Sequence, residues 1–68
     1  MNYTKAMNEC KYGKKIRCDS MKEGEYLFYD EDESQINWQL SDGIFSYPQD
    51  MDCDDYLIWI FEQWEIID

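Results

Sequence analysis

The chain opens on an apolar stripe of helical period, with Tyr3, Ala6, Met7 and Cys10 recurring at i, i+3, i+4 and i+7. Asn2 stands where an N-cap belongs and Gly13 where a left-handed residue ends a helix. Lys11 and Lys14 flank its negative end. The spacing predicts a helix over 3–12. The period then shortens to two: Ile16 and Cys18 alternate with Arg17 as a short strand, and Lys22–Gly24 reads as a turn. Glu25–Asp30 holds Tyr26, Leu27, Phe28 and Tyr29 in succession, a strand apolar on both faces and expected to be covered on each. A turn follows at Asp30–Ser34, and then Ile36, Trp38 and Leu40 alternate with Asn37 and Gln39.

Asp42-Gly43 is a strong hairpin signal, leading into a strand over Ile44–Tyr47 that Pro48 ends. The apolar run Tyr56–Phe61 is compatible with helix or strand. Asp50, Asp52, Asp54 and Asp55 precede it and suit the positive end of a helix, so a helix over about 53–61 is expected. Trp64–Ile67 reads as a closing strand. The predicted class is α+β, one or two helices packed on a small, mainly antiparallel β-sheet, as a single compact domain over 1–68.

Composition explains how so short a chain folds. A domain of 68 residues has a thin core, and its 18% aromatic content supplies large buried area per residue. The three Trp lie in apolar-patterned segments and are expected to pack in the core. The three cysteines, Cys10, Cys18 and Cys53, are odd in number and lack CxxC spacing, which reads as reduced thiols and a cytoplasmic location. Residues 1–15 have no apolar stretch of signal-peptide type, and the longest apolar run, six residues, is too short for a bilayer.

Charge changes the picture most. Residues 1–24 contain all six basic residues and three acids, whereas residues 25–68 contain thirteen acids and no base, so the halves carry +3 and −13. Soluble surfaces ordinarily intersperse both signs, because a single-sign field costs self-repulsion. Such a field opposes direct binding to nucleic acid or anionic lipid and favours a basic protein partner.

The candidate chemistry is sparse. Asp50-x-Asp52-x-Asp54 imitates the start of an EF-hand loop. However, Asp55 stands where the sixth position requires Gly, and Phe61 where the twelfth requires Glu. Asp30-Glu31-Asp32-Glu33 departs further from that pattern. There is no His to serve as a general base or zinc ligand, no Cys–His pair and no glycine-rich phosphate loop. No catalytic residue, metal or cofactor is expected.

Met1-Asn2-Tyr3-x-x-Ala6-Met7, then Lys11-x-Gly13-Lys14-Lys15-Ile16-x-Cys18, resembles the opening of a family of short phage and prophage proteins. That family includes the Thoeris anti-defence proteins of the second type. Glu25-Tyr26-Leu27-Phe28 resembles its next strand and Trp64-Glu65-Ile66-Ile67 its closing one. The resemblance implies an antagonist of bacterial immunity, since family members are associated with sequestering cyclic ADP-ribose-type signals and relatives with blocking CRISPR nucleases. The chain departs from the family at Ser20-Met21, where members have Gly-Trp, and in its shorter middle region.

Two functional expectations follow. The first is a non-enzymatic acidic protein that masks a basic nucleic-acid-binding surface of a host defence protein or nuclease by DNA mimicry, in the manner of an anti-CRISPR or anti-restriction inhibitor. Asp30, Glu31, Asp32, Glu33, Asp50, Asp52, Asp54 and Asp55 would stand in for phosphates. The alternative is a homo-oligomeric sponge for a cyclic nucleotide signal. Trp38 or Trp59 would stack the base, and Lys14, Lys15 and Arg17 would hold phosphates.

Overall fold

The computed structural model describes residues 1–67. Helix α1 (Tyr3–Lys11) is followed by strands β1 (Lys15–Cys18), β2 (Tyr26–Asp30), β3 (Gln35–Gln39) and β4 (Phe45–Ser46). A 3-10 turn (Pro48–Asp50), helix α2 (Cys53–Phe61) and strand β5 (Trp64–Ile67) complete an α+β fold. The five strands form one sheet in the order β4-β3-β2-β1-β5, every neighbouring pair antiparallel.

The signals at both ends of α1 operate as the sequence implies. Asn2 Oδ1 accepts from the Lys5 amide at 2.9 Å. At the other end Gly13, with φ +100°, lets its own amide reach Cys10 O at 2.9 Å and the Lys14 amide reach Glu9 O at 3.3 Å, the paired bonds of a Schellman cap. Asp42 accepts from the Ile44 amide at 3.0 Å and closes the β3–β4 hairpin. β4 covers only Phe45–Ser46 instead of the expected Ile44–Tyr47. Pro48 has no N–H to extend the ladder, and it opens the 3-10 turn directly after Tyr47.

Register fixes which residues share a face. Ile16 pairs with Leu27, Leu27 with Trp38, and Cys18 with Trp64, so these side chains project to one side. Both helices lie on that side. α1 contributes Ala6 and Cys10 to the core, and α2 contributes Trp59. An aromatic chain links the layers: Trp38 meets Trp59 at 4.9 Å, Trp59 meets Trp64 at 5.5 Å and Trp64 meets Tyr3 at 5.8 Å, all edge-to-face. The Trp64 indole N–H donates to Trp59 O at 2.9 Å.

The expected cover on both faces of β2 is not found. Leu27 is fully buried, whereas Tyr26 and Phe28 point to the helix-free side and are half-buried. On that side Phe45 lies 5.6 Å from Phe28, the Lys15 ammonium lies 5.1 Å above the Tyr26 ring, and Asn37 and Gln39 stand opposite the two rings, with no helix over them. With two nine-residue helices, both drawn to the Trp face, the chain has no third layer to place there.

Candidate functional site

The first acidic loop is built by its own carboxylates. Asp30 Oδ1 accepts from the amides of Asp32 at 2.9 Å and Glu33 at 3.3 Å, an Asx turn, while Ser34 takes the left-handed conformation with φ 55°. Asn37, only 3% exposed, donates its side-chain amide to Asp30 at 3.2 Å and to Glu33 at 3.3 Å. Gln35 and the Tyr47 hydroxyl donate to the other Glu33 oxygen at 3.3 and 3.1 Å. Asp30 and Glu33 are therefore committed to holding the loop, and Glu31 and Asp32 are the pair it displays to solvent.

The second group lies on either side of the α2 N-terminus. Asp50 ends the 3-10 turn, Asp52 is the N-cap residue, and Asp54 and Asp55 occupy the first turn. All four are exposed. Asp52 occupies the cap position without a side-chain cap bond, so its carboxylate stays free for other donors. Asp50 of this group and Glu33 of the first loop meet at Tyr47. Its phenol pKa is raised, first by its hydrogen bond to Glu33 and then by the charges of Glu33, Asp30 and Asp50. Asp50 is thus brought near the first loop, whereas Asp55 faces the helix side of the sheet beside Trp38 and Trp59.

Helix α2 adds a feature that charge alone did not suggest. Of its nine residues only Trp59 is buried. Leu57 is 51%, Ile58 49% and Phe61 82% exposed, and with Glu62 they line a shallow depression. A surface helix ordinarily turns polar residues outward, and one that is apolar all round is ordinarily buried. The signal was present in the unbroken Tyr56–Phe61 run, but periodicity could not say which side would remain open.

The alternative ligand set is divided by the sheet. Trp38 and Trp59 pack on the helix side, whereas Lys15 and Arg17 flank buried Ile16 and project to the opposite side. Arg17 donates to Met21 O at 3.2 Å, and Lys14 precedes β1 in an exposed position. Within one chain Lys15 and Arg17 therefore face away from Trp38 and Trp59. The thiols are similarly distributed by burial. Cys10 and Cys18 fill the core, where burial pushes the Cys10 thiol up to about 11 and raises that of Cys18, and Cys53 is exposed.

Among the described residues no group of three or more Cys, Asp and Glu is arranged to hold a metal ion, and no helix is long and apolar enough to cross a membrane. No protein-family model, curated protein or solved structure matches the chain.

Proposed function

We propose that this chain is a non-enzymatic binding protein that masks a basic, nucleic-acid-handling surface of another protein. It would act in the cytoplasm as a phage-type antagonist of bacterial antiviral defence, the role that the sequence resemblance implies. One observation carries the reading: α2 presents exposed Asp54 and Asp55 together with uncovered Leu57, Ile58 and Phe61. A surface that served solubility alone would hold the carboxylates without the apolar patch, and exposed apolar surface rimmed by polar groups is the composition of a protein interface. Carboxylates supply steering and register toward Lys and Arg, while the apolar side chains supply affinity that salt does not screen.

Glu31, Asp32, Asp50, Asp52, Asp54 and Asp55 are the direct contacts in this scheme. Asp30 and Glu33 position the first loop, since their oxygens are already engaged internally. An oligomeric nucleotide sponge would have to draw Lys15 and Arg17 and the stacking rings from different copies of the chain, since within one copy they lie on opposite faces of the sheet.

The test uses immobilised protein and nuclease-treated bacterial lysate. Basic nucleic-acid-binding proteins should be retained at low salt and released by added duplex DNA. A variant with Asp50, Asp52, Asp54 and Asp55 all changed to Asn should lose most of the retention. Capture that ignores both DNA and the four substitutions would contradict masking.

A further inference from the structure

Between the start of β2, β3 and α2 lies a cavity of about 410 Å³, within the range of small-ligand pockets. Its wall carries Glu25, Asp42 and Asp55 as carboxyl groups, Lys22 as its one cation, and the rings of Trp38 and Trp59. Three acids against one base leave the lining at −2. Glu25 is the telling residue. It is 7% exposed, yet among the described residues its carboxylate accepts a single long bond, from the Lys22 amide at 3.4 Å. Its second oxygen is not among the buried unpartnered atoms, so it is open to a donor entering the cavity that Glu25 lines. Among the described residues the Trp38 indole N–H is buried behind this wall without an acceptor.

We propose that this cavity receives an arginine side chain of the bound partner. The inference deepens the masking function and rests on it. A guanidinium is a planar, permanent cation with five N–H donors, matched to carboxylates such as Glu25 and Asp55. Its flat face can stack on the half-buried Trp38 ring, behind which Trp59 packs edge-to-face. A lysine ammonium is more strongly hydrated and offers no planar face, so arginine is preferred.

The test needs no partner protein. N-acetyl-arginine amide is titrated into the intact protein while the indole N–H resonances and tryptophan fluorescence are followed. Saturable shifts of Trp38 and Trp59 are expected, with a dissociation constant on the order of millimolar for so small a ligand. N-acetyl-lysine amide should bind more weakly and N-acetyl-glutamine amide should give no saturation. Glu25→Gln should weaken binding about tenfold by removing a charge-assisted bond. Because Glu25 is buried, Asp55→Asn at an exposed position gives a second weakening variant, and Lys22→Gln should tighten binding by removing the opposing charge.

Shifts that fail to saturate, or that are equal for the glutamine amide, would overturn the arginine site. That failure, with DNA-releasable capture intact, leaves masking standing. Loss of the capture itself would instead overturn masking.

Discussion

Asn37 shows how much of the acidic surface depends on one uncharged side chain. Its amide nitrogen serves Asp30 and Glu33 together, at 3.2 and 3.3 Å. Asn37→Ala removes that shared donor and should cost about 1–3 kcal/mol in a denaturant titration. Asn37→Asp should cost more at neutral pH, because it adds a third carboxylate, and part of that loss should be recovered as the acids are protonated. Recovery at low pH for Asp but not for Ala is the diagnostic pattern. Nothing in Asp30-Glu31-Asp32-Glu33 distinguished the structural acids from the displayed ones, because the distinction is made by Asn37 and Tyr47, four and fourteen positions beyond Glu33. The Trp residues were legible as core from their apolar neighbours, whereas the half-buried Trp38 wall of a cavity was not.

Cys10 gives a pH dependence of definite sign. Its thiol is pushed from 9.0 up to about 11 by burial, so the folded state holds the proton more tightly than the unfolded chain does. The stability it contributes is complete below about pH 9 and is lost as pH rises through about 11. Cys18 and Tyr3 are raised in the same direction, chiefly by burial. Chemical denaturation should therefore show stability holding to about pH 9 and declining toward pH 11, less steeply in Cys10→Ala.

At the scale of elements, α1 was readable almost to the residue because its stripe, its Asn2 cap and its Gly13 terminus are independent local signals that agree. Gly13→Ala should cost about 1 kcal/mol, since a β-carbon meets nothing within 4 Å and only the left-handed backbone resists it. Gly13→Asn should cost less, and thermal melts of the two variants compare them directly. α2 was less legible. Six consecutive apolar residues have no period, and the acids before them decided for helix. Its two sides should respond oppositely to substitution. Trp59→Ala should destabilise by about 3–5 kcal/mol, whereas Phe61→Gln should change stability by less than about 0.5 kcal/mol and weaken partner capture. The two-sided cover expected of β2 failed because apolar composition fixes what a strand can bury and not how many layers the chain has to bury it with.

Over the whole molecule, the antiparallel order β4-β3-β2-β1-β5 brings the closing strand beside the first and puts both helices on the Trp face. The Asp30–Ser34 turn and Asp50 of the 3-10 turn then come together at Tyr47, which joins two acidic segments that lie apart in the sequence. Charge segregation was plain in the sequence, but the convergence needed the fold. Association with a basic partner should slow steeply between low and physiological salt as the Debye length falls to about 8 Å, with dissociation less affected, because steering is screened more than buried contact.

Competition for the captured partner tests masking most directly. The protein is titrated into a complex of that partner with fluorescently labelled duplex DNA, and DNA release is followed by anisotropy. Masking requires stoichiometric displacement of the DNA by the natural chain and greatly reduced displacement by the variant carrying Asn at 50, 52, 54 and 55. A ternary complex in which DNA and protein are bound together, or equal displacement by both forms, would contradict it.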